Sequence, residues 1–291
     1  MDFKLANKMA DYIWINGEFV KWEESYVHVM THSLHYAGSV FEGERAYNGK
    51  VFKLMEHTNR LLKSAEHMHL EVKYSAEEIN DATNELLKRN NIKNAYVRPL
   101  IWRGAESLGL YNPVVKCNIL IMALESNPEY KNGLHLCVTP WRKVGTNSMH
   151  PQCKSSTHYA MMTVSQKLAQ DQGYDDALVL DQYEDIAEST TTNIFFGKGN
   201  LLVTPVADRF LNGITRQTVI EIAQNFGMKV REERITLEDI KAYDACFLTG
   251  TSAEIRGVSK ISFDGKTLEF PDQEMTEKFQ QEYTRVVGKI V

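Results

Sequence analysis

Asn193-Ile194-Phe195-Phe196-Gly197-Lys198-Gly199-Asn200-Leu201-Leu202-Val203 sets two short apolar runs around a glycine-bearing turn. That is the pattern of a β-hairpin. A little further on, Gly213-Ile214-Thr215-Arg216 opens a helix that runs to Gly227, a residue suited to the position just past a helix end. Working outward, 158–172 reads as a helix closed by Gly173, and 176–180 as a strand. Residues 228–234 and 244–249 read as strands, and a helix from about 272 ends the chain.

The first third mixes the same elements. Residues 11–20 and 26–31 read as strands with a turn at Asn16-Gly17, and Asn48-Gly49 is a second turn followed by an extended Val51–Leu54. A helix starting near Thr58 places Leu61, Ala65 and Met68 on one face. Another starts at Ser75, where Glu78 completes a capping box, and its apolar face is Ile79, Ala82, Leu86 and Leu87. Residues 95–101 and 115–124 read as buried strands. Between the halves, Ser126–Gly133 is polar and turn-rich, as an interdomain linker would be. The expected fold class is α/β (α+β) with mixed or antiparallel sheets. Residues 1–126 form a smaller N-terminal domain, 127–133 the linker and 134–291 a larger C-terminal domain.

The composition, 43% hydrophobic and 24% charged over 291 residues, supplies enough apolar surface for a sizeable core. A net charge of -5 gives no global attraction to nucleic acid or anionic lipid, so an anionic ligand needs local positive charge. Met1-Asp2-Phe3-Lys4 lacks the apolar core of a secretory signal, and no apolar run approaches a membrane span. Cys117, Cys137, Cys153 and Cys246 are widely spaced without a CxxC pair, which fits free thiols in a reducing cytoplasm.

Nucleotide-binding glycine patterns, GxSxG and HExxH are absent. Gly213-Ile214-Thr215-Arg216 at a helix start offers backbone N–H groups, a hydroxyl and the positive helix end, which suits an anion, although such starts are also ordinary. Thr249-Gly250-Thr251-Ser252-Ala253 follows an apolar strand and can cup a phosphate or carboxylate, or be merely a turn. His28, His32 and His35 have helical spacing but sit in strand-like, Gly-bearing sequence, so no metal site is expected.

His32-Ser33-Leu34-His35-Tyr36-Ala37-Gly38-Ser39-Val40-Phe41-Glu42-Gly43 resembles the opening motif of the branched-chain aminotransferases, and four further segments follow in the family's order. They are Glu56–Leu61, Tyr96-Val97-Arg98-Pro99-Leu100, Leu211–Arg216 and Gly250–Ile255. The resemblance implies a class IV aminotransferase of fold type IV that uses pyridoxal 5'-phosphate. It implies transfer of the amino group of leucine, isoleucine or valine to 2-oxoglutarate. Other enzymes of this fold, namely D-amino-acid or amine transaminases and aminodeoxychorismate lyase, are the alternatives.

The chain has 21 lysines, among which composition cannot choose. The likeness of Cys153–Tyr159 to the family's cofactor-lysine segment selects Lys154, with Ser155-Ser156 standing where Ala-Gly is commoner. By the same resemblance Glu188 pairs with the ring nitrogen and Tyr159 bonds the phenolic oxygen. Arg60, near an expected helix start, grips the phosphate with Leu211, Ile214, Thr215 and Thr251. Tyr36, Phe41 and Tyr130 line an apolar side-chain pocket. Tyr96 and Arg98 receive the γ-carboxylate of glutamate, and the Thr251-Ser252 turn the α-carboxylate. Leu108 and Leu110 match a loop that reaches the partner subunit's site, so a homodimer or higher assembly such as a hexamer is expected.

Overall fold

The computed structural model describes residues 10–127 and 132–289. By its contacts the chain forms two compact units, one of Met1–Asn127 with Cys153–Thr157 and one of Pro128–Gln152 with His158–Val291. The expected linker 127–133 lies largely outside the described residues.

In the first unit β1 (Tyr12–Ile15) and β2 (Glu18–Lys21) form the hairpin turned by Asn16 and Gly17. Both turn residues have positive φ, which suits an Asn-Gly pair. The stretch expected as a strand at 26–31 is not one. It leaves Tyr26, Val27 and Val29 exposed and leads into a single-turn helix α1 (His32–Tyr36). Its β-branched and aromatic residues give it strand propensity, but no neighbouring strand pairs with it. There follow β3 (Ser39–Phe41), β4 (Glu44–Tyr47), β5 (Lys50–Val51), helices α2 (Leu54–His67) and α3 (Ala76–Arg89), then β6 (Ala95–Arg103) and β7 (Cys117–Glu125).

The sheet order is β2-β1-β7-β6-β4-β5, with β3 also on β6. One face carries Val40, Val97, Ile101, Ile119 and Ile121, packed with Leu61 and Ala65 of α2 and Ile79, Leu86 and Leu87 of α3. The capping box of α3 forms as the sequence indicates, Glu78 N–H donating to Ser75 Oγ and Ser75 N–H to Glu78. Helix α2 starts four residues earlier than the expected Thr58, because Lys53, in the left-handed region, begins it without a side-chain cap. Arg60 therefore sits mid-helix.

The second unit contains β8 (Leu134–Arg142), α4 (Thr157–Asp171, whose first residue groups with the first unit), β9 (Asp176–Leu180), β10 (Ile186–Ser189) and the hairpin β11 (Asn193–Lys198) and β12 (Leu201–Pro205). It continues with α5 (Ile214–Asn225), β13 (Lys229–Glu233), β14 (Ala245–Gly250), β15 (Glu254–Phe263), β16 (Lys266–Glu269) and α6 (Gln273–Val286). The order is β10-β9-β8-β15-β14-β11-β12-β13, with β16 also on β15. Pairs β8–β9, β8–β15 and β12–β13 are parallel and the others antiparallel, so the sheet is mixed. Apolar side chains cover both faces. Ile194, Phe196 and Val203 share a core with Leu136 and Leu178. Phe195 stacks on Phe247 at 5.2 Å, and Phe247 meets Phe279 of α6 at 5.2 Å. No helix among the described residues is long and apolar enough to cross a membrane.

Candidate active site

Two clusters of functional side chains stand out, one in each unit. In the first, Lys154 is held by its backbone. Its N–H donates to Ser64 Oγ of α2 at 3.0 Å, and its carbonyl accepts from Phe41 N–H at 3.1 Å. Ser155 bridges to Val40, and Ser156 N–H donates to Ser39 O, so residues 154–156 run antiparallel to β3. The amine lies 5.0 Å from the centre of the Phe41 ring. Burial lowers its pKa to about 8, with Glu42 pulling it up and Arg60 and Arg98 pushing it further down.

Tyr96 and Arg98 are two residues apart on β6, and so share the face away from the core. Arg98 Nη2 donates to Tyr96 Oη at 2.7 Å, and its guanidinium lies 4.4 Å over the Phe41 ring. Gly43 permits this arrangement, since a Cβ there would run into the Tyr96 hydroxyl. On α2, Arg60 is gripped by Glu42 through Nε–Oε1 at 2.6 Å and Nη2–Oε2 at 2.9 Å. His57 Nδ1 lies 2.8 Å from the same Oε2. Burial alone would raise the Glu42 carboxyl, but Arg60 and His57 outweigh it and hold it well below the usual carboxylate range. Glu44, one strand step on, is fully buried with no partner for either oxygen among the described residues. Burial and the Glu42 charge push its pKa well up, favouring the uncharged form.

Tyr36 and the 107–112 loop form a separate, exposed group. Tyr36 Oη donates to Leu108 O at 3.1 Å, and His32 Nε2 lies 3.0 Å from Leu110 O. Leu108 and Leu110 are exposed. Tyr130 lies outside the described residues.

In the second unit Glu188 is buried on β10 and paired with Lys143, which follows β8. Asn193, at the start of β11, accepts from Gly213 N–H at 3.1 Å and donates to Leu211 O at 3.1 Å. These contacts fix the turn that opens α5 with Ile214 and Thr215, whose first backbone N–H groups have no acceptor within the helix. Thr251 and Ser252 lie in the turn after β14, beside Gly250, where a Cβ would crowd Thr192 Cγ2 at 2.8 Å. Thr249 Oγ1 is buried without a partner among the described residues. Tyr159 is on the first turn of α4.

Residues 39–261 match the amino-transferase class IV family. The chain belongs to the class IV aminotransferases. A probable branched-chain-amino-acid aminotransferase of Rickettsia bellii is 54% identical over 277 residues, 95% of this chain and 96% of that protein. The branched-chain aminotransferase of Thermoproteus uzoniensis, solved with norvaline, superposes with a TM-score of 0.89 at 35% identity, covering 96% of each chain. The T.th. branched-chain amino acid aminotransferase, complexed with N-(5'-phosphopyridoxyl)-L-glutamate, gives 0.90 at 32% identity over 97% of this chain and 95% of that one. The expected mixed α/β architecture of this aminotransferase fold stands.

For a class IV aminotransferase chain, the sequence left three groups unassigned. Glu42 and His57 lie inside quoted motifs, yet nothing local shows that they converge on Arg60. Lys143 is one lysine of many, and its pairing with Glu188 is purely tertiary.

Proposed function

We propose that the protein transfers the amino group of branched-chain L-amino acids to 2-oxoglutarate, with pyridoxal 5'-phosphate as cofactor. The observation that carries this is the Phe41–Tyr96–Arg98 group beside Lys154. It sets an aromatic wall for an aliphatic side chain against a guanidinium suited to a carboxylate, within one face of one unit.

The residues present fit the cofactor. Lys154 is an amine held beside an aromatic ring with its pKa lowered, as a nucleophile for an aldehyde requires. Glu188 is a buried acceptor for a ring N–H. The opening turn of α5, with Thr215, and the Thr249 hydroxyl, unpartnered among the described residues, supply donors for an anion. Bound pyridoxal phosphate supplies the aldehyde that takes up the amino group and a ring that accepts the electrons released at Cα.

In this reading Lys154 Nζ would take up and return the proton of substrate Cα, a role worth about 10²–10⁴ in rate. Arg60, oriented by Glu42, binds phosphate with Leu211, Ile214, Thr215 and Thr251, and Tyr159 bonds the phenolic oxygen. Arg98 and Tyr96 take the γ-carboxylate, Ser252 and Thr251 the α-carboxylate, and Tyr36, Phe41 and Tyr130 the aliphatic chain. The exposed apolar Leu108 and Leu110 support a homodimer in which this loop meets the partner. Four unpaired cysteines are in keeping with a cytoplasmic location.

The test is to incubate the loaded enzyme with 2-oxoglutarate and, separately, L-leucine, D-alanine or 1-phenylethylamine, and to measure glutamate. Glutamate from L-leucine alone is expected. Glutamate only from D-alanine or the amine would overturn the substrate reading.

A further inference from the structure

The Lys143–Glu188 pair is unusual among the ion pairs of the second unit. Its neighbour Arg142 meets Glu184 with side chains 33% and 64% exposed, whereas Lys143 and Glu188 are 7% and 9% exposed. Lys143 N–H donates to Leu180 O at 2.8 Å, which anchors the base of its side chain beside β9, and Nζ donates to Glu188 Oε1. Apolar substitutes for a buried pair are often no less stable, so stability alone gives no reason for a lysine here.

The second oxygen of Glu188 leads elsewhere. Oε2 lies 3.4 Å from Asn193 Nδ2, and the same nitrogen donates to Leu211 O. Asn193 Oδ1 accepts from Gly213 N–H, so each end of the amide has its own partners and only one orientation satisfies both. Asn193 is itself 5% exposed. A Cβ at Gly213 would collide with Asn193 Oδ1, so the close approach of this amide to the turn depends on glycine. One continuous polar chain therefore runs from Lys143 through Glu188 and Asn193 to the first turn of α5.

We propose that Lys143 and Asn193 are positioning residues for Glu188. Lys143 holds Oε1 and supplies the counter-charge a buried carboxylate needs, while Asn193 ties Oε2 to the Leu211–Gly213 turn. The inference rests on the roles proposed above for Glu188 and for the α5 start. The acceptor for the ring nitrogen and the phosphate donors at the start of α5 then form one braced body. The separation of nitrogen and phosphate is set by the cofactor's own bonds, so fixing the separation of their partners beforehand removes an ordering cost from binding.

The experiment titrates apoenzyme with pyridoxal phosphate, reading the visible band of the lysine-bound cofactor, and then follows the pH midpoint of that band. The variants are E188Q, K143M, K143R, N193A and the double variant K143M/E188Q. K143M and N193A are each expected to weaken cofactor binding by about 10- to 100-fold, the range for lost outer-shell partners of a ligand. K143M should move the midpoint in the same direction as E188Q, K143R should restore both readouts to within about threefold, and K143M should add nothing in the E188Q background. If K143M yields no folded apoprotein, K143Q, which keeps a donor but no charge, carries the same comparison. Unchanged affinity and midpoint in E188Q would sink the Glu188 reading itself. A shifted E188Q with an unshifted K143M, or a K143M loss that persists in full in the E188Q background, would overturn the positioning role and leave that reading intact.

Discussion

Replacing Glu42 with glutamine tests how the first cluster tunes its lysine. Lys154 titrates at about 8 instead of its ordinary 10.5. At pH 7 that leaves about 9% of the amine neutral, against about 0.03% for an ordinary lysine, a ratio of about 300. Burial is the main cause, and the Glu42 carboxylate is the largest influence acting against it. Removing its charge while keeping its shape therefore lowers the Lys154 pKa further. The gain in neutral amine at pH 7 is capped at about tenfold, since about a tenth is already neutral. The assay labels apoprotein with an amine-reactive sulfonate at a series of pH values and reads Lys154 by peptide mass mapping. The midpoint should be near 8 in the parent and lower in E42Q. Arg60→Met and Arg98→Met should raise it, because both cations disfavour the charged amine. Breaking a buried pair costs about 3–5 kcal/mol. If E42Q fails to fold, the two arginine variants carry the test with opposite sign. A parent midpoint at or above about 10, or an upward shift in E42Q, would refute the account.

Gly43→Ala should push Tyr96 away from Arg98 and raise KM for 2-oxoglutarate by about 10- to 100-fold, the size of a lost hydrogen bond to a charged group, with a smaller effect on the leucine half-reaction. Steady-state kinetics with each substrate varied would show it, and equal losses for both would count against this role of the glycine. His158 is buried, and that burial, aided by Lys143, outweighs a contact with the His150 backbone and lowers its pKa from 6.5 to about 4. The unfolded chain then takes up the proton first, so this residue withdraws stability as pH falls from 6.5 toward 4 and has no effect above. The difference in urea midpoint between the parent and His158→Leu should change only in that window, and a pH-independent difference would contradict the assignment. Phe247→Ala opens a cavity between Phe195 and Phe279 and should cost about 3–5 kcal/mol in urea unfolding, whereas a loss below about 1 kcal/mol would mean the stack repacks freely.

Local signals were readable in the sequence and long-range ones were not. The α3 capping box, the Asn16-Gly17 hairpin and the β11–β12 hairpin depend on residues a few positions apart, and each forms as the pattern indicates. Strand β15 was missed because Arg256, Gly257 and Lys260 interrupt its apolar residues, and its pairing with β8 and β14 supplies what propensity does not. Residues 26–31 show the converse, strand-forming side chains without a partner. The start of α2 at Leu54 carries no capping side chain, so the sequence placed Arg60 near a helix start rather than mid-helix. The structure assigns its orientation to Glu42 instead. At the candidate site, motif likeness selected Lys154, Tyr96 and Arg98, which lie together in the first unit. The residues that hold them and Glu188 in place come from distant parts of the chain.

The discontinuity of the first unit bears on the order in which the protein can be made. Ser39 and Ser156, whose hydroxyls lie 2.9 Å apart, are separated by 117 positions. At about 5–20 residues per second, a ribosome that has just finished β3 needs about 6–23 s more before its pairing segment exists. Helices α2 and α3 and the strands from β1 to β7 can assemble in that interval. The free side of β3 stays without its partner until residues 154–156 emerge. An interrupted translation product ending in β8 would therefore carry most of the first core but no reactive amine, so the chemistry is installed only after the chain has committed to its second unit.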